Sequence, residues 1–255
     1  MRNANITAIV QARMGSVRLP GKVMAEIAHK PMLWHVIERL KRAESVHSVV
    51  VATTTQESDE PLLKLAEDSG AAAYAGSPED VLDRYYQAAR HFGGDAIVRI
   101  TADCPLLDPH VTDRVVRRYL AGDCDYVANT LRRTYPDGLD VEVFSYEALE
   151  RAWKEASLAS EREHVTPYIW KNPEEFRLAG VENNLDLGSL RWAVDESEDL
   201  EFVRQVYKGL QGKGHIFYMQ DILNLLEERP DLKEINQHIV INEGYARSLK
   251  QDKIA

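Results

Sequence analysis

The chain has 255 residues, 44% of them hydrophobic and 28% charged, with a formal net charge of −10. Such a composition belongs to a globular protein long enough to bury a sizeable core, as one large α/β domain or two small ones. The acidic balance excludes a general nucleic-acid binder, whose surface must be basic, and Cys104 and Cys124 alone exclude a disulfide scaffold or a four-thiolate zinc site.

The first apolar run, Ile6, Ala8, Ile9 and Val10, predicts a strand buried on both faces. It breaks into a loop holding Gly15, Ser16, Pro20 and Gly21 together with the cations Arg13, Arg18 and Lys22. Helical spacing follows over residues 31–43, a second buried strand over 49–52 running into Thr53, and a helix over 59–69 with Asp59 near its cap and Gly70 after its end. A third strand at 71–75, a helix at 79–92 and a fourth strand at 96–100 complete an alternation that argues for a parallel, doubly wound sheet with ligands at the carboxyl ends of its strands.

The second half is less regular. Strands are expected at 125–128, 141–144, 177–181 and 190–194, and helices at 145–157, 161–171, 197–209 and 219–228. A polar loop at 129–140 carries Tyr135-Pro136-Asp137-Gly138, and the tail from Lys250 is expected to fray. No repeat or low-complexity linker marks a boundary, so a single domain is expected. Residues 1–124 would form its first, ligand-binding half, 125–210 a substrate-facing half, and 211–255 a helical extension. Neither a signal peptide nor a spanning segment is apparent, so no membrane partner is expected and the cytoplasm is the expected compartment.

The loop after the first strand carries the clearest chemistry. Successive glycine-bearing backbone N–H groups and a set of cations match phosphate oxygens, so the loop reads either as a triphosphate site or as a basic surface turn. It is not a P-loop, because Val23 follows Lys22, nor is it G-x-G-x-x-G. Two acids stand just past strands. Asp103 lies in Thr101-Ala102-Asp103-Cys104-Pro105, where it is placed either to bind a hard cation or to cap the next helix, although Asp108 before Pro109 is the better cap. Asp195 lies in Val194-Asp195-Glu196-Ser197-Glu198-Asp199, where Ser197 would cap and Glu198 and Asp199 would favour the positive end of a helix.

The wording from Gln11 through Arg13, Ser16, Arg18 and Leu19-Pro20-Gly21-Lys22 closely resembles the A-R-x-x-S-x-R-L-P-G-K signature of the cytidylyltransferases that activate Kdo and acylneuraminate sugars. Thr101-Ala102-Asp103-Cys104-Pro105-Leu106-Leu107 resembles their T-G-D-x-P-L-I segment, and Val194-Asp195-Glu196-Ser197-Glu198-Asp199-Leu200 resembles V-D-T-P-E-D-L. The longer phrases around Tyr135, His164 and Trp192 look most like the branch of spore coat polysaccharide biosynthesis protein F.

The resemblance implies a Rossmann-like, mostly parallel sheet with helices on both faces, of the nucleotide-diphospho-sugar transferase type. It implies a Mg²⁺-dependent enzyme that joins CTP to an acidic sugar, of Kdo or nonulosonate type, giving a CMP-sugar and pyrophosphate. Asp103 and Asp195 would share the magnesium ion. Arg13, Lys22 and Asp103 would be catalytic, and Gln11, Ala12, Arg13, Ser16, Arg18, Lys22, Thr53, Gly76, Ser77 and Ala102 would bind nucleotide. Arg84 would join them, or is an exposed helix arginine. Sugar recognition would fall to Asn129, Tyr135, Asp140, Glu142, Arg162 and His164, with Arg162 or Arg132 facing a sugar carboxylate. Enzymes of this kind are commonly dimers, and residues 210–250 are available for an interface. A glycosyltransferase of similar fold would instead use Asp123-Cys124-Asp125 as a D-x-D motif, and a third reading is a non-catalytic nucleotide-binding factor in polysaccharide assembly.

Overall fold

The computed structural model describes residues 4–210, 216–241 and 243–252. The parts of the expected C-terminal extension at 211–215, 242 and 253–255 lie outside the described residues. In chain order the strands are β1 (Ile6–Gln11), β2 (Glu26–Ile27), β3 (Lys30–Pro31), β4 (Ser48–Thr54), β5 (Ala72–Gly76), β6 (Ala96–Thr101), β7 (Tyr126–Ala128), β8 (Glu142–Ser145) and β9 (Leu178–Gly180). The α-helices are α1 (Met32–Leu40), α2 (Glu60–Asp68), α3 (Val81–Phe92), α4 (Pro109–Leu120), α5 (Tyr146–Glu155), α6 (Ala159–His164), α7 (Pro167–Lys171), α8 (Ser197–Leu210), α9 (Met219–Glu228), α10 (Asp231–Glu234) and α11 (Glu243–Leu249).

The main sheet has seven strands in the order β5-β4-β1-β6-β8-β7-β9. β1 pairs in parallel with β4 and β6, β4 with β5 and β7 with β9, while β8 runs antiparallel to both β6 and β7. The sheet is therefore the mostly parallel, doubly wound one that the alternation of strands and helices predicted. Successive residues of β1 feed opposite layers: Ile6, Ala8 and Val10 join Met32, Val36 and Ile37 of α1 on one side, and Ile9 joins Leu82 and Tyr85 of α3 on the other. A central parallel strand is buried on both faces in this way, which is why its sequence is a continuous apolar run. Strand order reverses between β1 and β6, so the loops that leave their carboxyl ends diverge and open a crevice there.

Helix starts follow their caps. Asp80 accepts the N–H of Asp83 at 2.9 Å, Ser145 that of Ala148 at 3.0 Å, and Asp108 those of His110 and Val111, with Pro109 opening α4.

Three expectations are corrected. Residues 191–194 are buried, but 190–194 form no strand beyond one bridge between Asp137 and Arg191. Their backbone donors serve the surrounding loops instead: Trp192 N–H donates to Asp137 O at 2.6 Å and Val194 N–H to Asp103 O at 2.8 Å. The close pass needs glycine at 138, where φ is +105° and an added Cβ would sit 2.6 Å from the backbone of Trp192 and Ala193. The single helix at 161–171 is two, α6 and α7, because Val165 turns left-handed (φ +73°) before Pro167 opens the second. Of the tail expected to fray from Lys250, the described residues are tied down, since the Asp252 carboxylate accepts the N–H and hydroxyl of Ser160, each at 2.7 Å. The described residues after 216 pack on their own chain, with α9 on α8 and α11 on α6. No described helix is long and apolar enough to cross a membrane.

His35 on α1 is buried, and its Nε2–H donates to Ile27 O at 2.7 Å. Burial pushes its pKa from 6.5 down to about 4. The unfolded chain therefore takes up this proton first. Its contribution to stability is fully present above pH 6.5 and declines as pH falls towards about 4, by at most roughly 3 kcal/mol. Urea unfolding at about pH 7 and about pH 4.5 is expected to show a smaller loss on acidification in a His35→Gln variant than in the parent.

Candidate active site

The loop that leaves β1 is braced by hydrogen bonds of its own backbone. Ser16 N–H and Gly21 N–H both donate to Met14 O, at 2.8 and 2.9 Å, and Gly21 adopts φ +71° to turn the chain into a short 3-10 turn at Lys22–Met24. Met14 N–H donates to Asp59 Oδ1 at 2.7 Å, and the fully buried Asp59 also accepts the Thr54 hydroxyl. Asp59 thus ties the loop to β4 and makes no side-chain cap on α2.

Lys22 enters the crevice and is buried there. Its Nζ donates to Asp103 Oδ2 at 2.8 Å, to Asp195 Oδ1 at 2.8 Å and to Val194 O at 2.7 Å. Burial by itself would lower the pKa of this ammonium, but the two carboxylates outweigh it and hold the pKa above its ordinary value. For Asp103 burial pulls upward, yet the Lys22 charge and the Thr101 hydroxyl bring the carboxyl down to about 2. Asp195 turns its other oxygen to Arg18 at 2.8 Å and to Arg191 at 3.2 Å. Arg191 is fixed in turn by Asp199, which is wholly buried and also accepts the N–H groups of Asp195 and Glu196. Asp199 therefore holds the Asp195 turn, a larger part than the helix-dipole role its position suggested.

Two cavities open here, of about 480 and 340 Å³, in the size range of small-molecule sites. Gln11, Ala12, Arg13, Ser16, Arg18, Lys22, Arg84, Ala102, Asp103 and Asp195 all line the first. Five cations and three carboxylates wall it, a local positive excess on an acidic chain. Asp140 and Glu142 line the second, and His164 is common to both. Burial, aided by the charge of Arg99, pushes His164 down to about 4, so its imidazole is neutral; Nε2 lies 2.9 Å from the Ser248 hydroxyl. Arg84 is almost fully buried, which removes the exposed-arginine alternative.

Other nominated residues are held elsewhere. Thr53 is buried within β4, and Gly76 packs its backbone against Tyr74 and Arg84. Ser77 accepts from Asp80 N–H and, through its carbonyl, from Arg84. Asn129 clasps its loop by donating to Leu139 O at 2.7 Å and accepting from Val141 N–H at 2.8 Å. Tyr135 is a core residue whose hydroxyl accepts from Arg114. Arg162 joins α6 to Asp80 and to Trp153 O, and Arg132 pairs with Glu182 on the surface. None of these seven lines either cavity. The same holds for Asp123 and Asp125, which pair with Arg118 and Arg177, so the D-x-D spelling is not part of this site.

The cavity walls also include residues that sequence reasoning missed. Arg99 and Arg133 line the second cavity, Arg99 paired with Glu142 and Arg133 with Asp140 at 2.8 and 2.9 Å. A charged residue inside the apolar run at 96–100 was a readable signal for Arg99. Trp170, Thr166 and Tyr245 complete that wall, while Glu163, Arg247 and Ser248 reach the first cavity. Among the described residues, five buried polar side-chain atoms lack a partner, and four of these (Gln11 Oε1, Arg84 Nε, Arg99 Nε and Tyr245 Oη) belong to residues lining the cavities. Buried polar groups are nearly always paired, so these atoms are candidates for hydrogen bonds to a ligand.

The donor set suits a hard divalent ion. Asp103 and Asp195 already grip one cation between them, the Lys22 ammonium, and are therefore close enough to share a charge. Among the described residues no cluster of three or more His, Cys, Asp or Glu side chains could hold a metal. Magnesium needs no such cage, because it keeps water and takes phosphate oxygens beside one or two carboxylates.

The family model for cytidylyltransferases matches residues 7–243. The uncharacterized protein MJ1063 of Methanocaldococcus jannaschii is 36% identical over 238 residues, 92% of this chain and 95% of that one. Spore coat polysaccharide biosynthesis protein SpsF of Bacillus subtilis is 29% identical over 234 residues, 89% and 96% of the two chains. The solved structure of a cytidylyltransferase from Leptospira borgpetersenii superimposes with a TM-score of 0.86 at 32% identity, covering 94% of this chain and 99% of that one. Matched by the family model over nearly its whole length, the chain belongs to the cytidylyltransferase family.

Proposed function

We propose that this protein transfers the cytidylyl group of CTP to a sugar hydroxyl, releasing pyrophosphate and supplying a CMP-sugar to surface polysaccharide synthesis. The observation that carries the reading is the meeting of Lys22, Asp103 and Asp195 in a cavity with a cationic excess. The new bond forms between the sugar oxygen and the α-phosphorus, the hydroxyl proton passes to solvent, and the bond from that phosphorus to pyrophosphate breaks with its electron pair leaving on the pyrophosphate. Arg13, Ser16 and Arg18 hold the triphosphate, and Lys22 offsets charge on the transferring group and on the departing pyrophosphate. Asp103 and Asp195 would hold Mg²⁺, which when bound neutralises phosphate oxygens and lowers the pKa of a coordinated hydroxyl. Positioning and charge neutralisation do the catalytic work without a covalent enzyme intermediate.

The second cavity takes the sugar. Of the two arginines that wall it, each paired with a carboxylate, Arg99 keeps an unpartnered Nε for a sugar carboxylate, whereas Arg162 and Arg132 line neither cavity. An acidic sugar of the Kdo or nonulosonate type fits that arrangement, and the relation to SpsF supports a place in polysaccharide assembly.

Pyrophosphate release from CTP and Mg²⁺ with a panel of acidic and neutral sugars is expected to single out an acidic acceptor. Asp103→Asn is expected to lower kcat roughly 100-fold; a variant turning over at the parent rate would remove the assignment. Asp59→Asn, which weakens a charge-assisted hydrogen bond to the loop, is expected to raise the KM for CTP about 10-fold with a smaller effect on kcat.

A further inference from the structure

The residues from Glu243 to Asp252 contribute nothing to the transfer as outlined, yet they are fastened against both cavities. Glu243 pairs with Arg18 at 3.2 Å, Ser248 bonds both His164 and Glu163, and Asp252 clasps the start of α6. Between these ties, the Tyr245 ring meets His164 nearly at right angles with centroids 5.1 Å apart and lies 5.9 Å from the ring of Trp170. Tyr245, Trp170 and His164 thereby form an aromatic wall of the second cavity.

The Tyr245 hydroxyl is the unexplained part of that wall. It is buried and has no hydrogen-bond partner. Tyrosine hydroxyls find a partner when buried, and an orphaned one is a net cost to folding. Ring packing gives no reason for it, since phenylalanine would make the same contacts with His164 and Trp170. On the same cavity wall, Arg99 Nε is likewise buried and unpaired. Both atoms lack what a hydroxylated ligand supplies, an oxygen able to donate and to accept.

We infer that α11 is part of the sugar site and that Tyr245 is a substrate-contacting residue, its hydroxyl exchanging a hydrogen bond with a hydroxyl of the acceptor sugar. The inference rests on reading the second cavity as the acceptor site of cytidylyl transfer. It assigns to a C-terminal helix a share in choosing the sugar, a task otherwise carried by the loop after β7 and by α6.

The test is Tyr245→Phe in the full chain, assayed by pyrophosphate release from CTP with 3-deoxy-manno-octulosonate, N-acetylneuraminate, glucose and N-acetylglucosamine, beside thermal unfolding without sugar. Expected are a sugar KM raised about 3- to 10-fold, an unchanged KM for CTP, and an unfolding midpoint equal to or above the parent's. An unchanged sugar KM overturns the inference while leaving cytidylyl transfer standing. A lowered midpoint overturns it too, because the hydroxyl would then be a structural group. A parent protein that releases no pyrophosphate with any of these sugars removes the transfer reading and this one together.

Discussion

One buried ammonium ion organises the crevice. Lys22 comes from the loop after β1, Asp103 from the turn after β6 and Asp195 from the turn before α8, and the three meet only because Lys22 Nζ lies 2.8 Å from each carboxylate. Isolated charges of this kind could not be buried. Together they can, and the arrangement fixes how three remote segments close around one space. The reversal of strand order between β1 and β6 gives that space its place, and Asp199 holds the Asp195 turn through Arg191 and the Asp195 N–H.

The two cavities are built on different principles. The first concentrates positive charge from Arg13, Arg18, Lys22, Arg84 and Arg247, which suits a polyanion and little else. In the second, each arginine is matched by a carboxylate, Arg99 by Glu142 and Arg133 by Asp140, and aromatic rings complete the wall. Such a surface discriminates by the placement of hydrogen bonds more than by net charge. His164 stands at the border, neutral, its neighbour Val165 in a backbone conformation rare for a branched residue.

Much of this was legible in the residues. The parallel front half announced itself as apolar runs separated by amphipathic segments; Asp103 stood where a strand ends, and Lys22, Asp103 and Asp195 all lay in long motif wording. What failed did so for physical reasons. Residues 190–194 bury Trp192 and Val194 as a strand would, but a ladder needs a partner with free donors and acceptors, and periodicity says nothing about partners. Asn129 and Tyr135 read as sugar partners because a loop offers polar side chains there, and Arg162 because a helix start offers mixed charge. Loops must satisfy their own backbone first, and Asn129 and Arg162 are held by main-chain carbonyls. The part played by α11 depends on contacts between residues some 80 positions apart, such as His164 with Ser248, for which a single sequence carries no signal.

The Asp59 clamp on Met14 has a consequence for how tightly an anion can be held. A glycine-bearing loop that wandered freely would have to surrender its conformational freedom at the moment of capture, and that loss would be subtracted from the affinity. Here the loss is already incurred when the chain folds, because a carboxylate anchored beside β4 keeps Met14 in place. The attraction between cations and phosphate is then available almost undiminished, and the rigidity of a neighbouring strand becomes a determinant of ligand affinity.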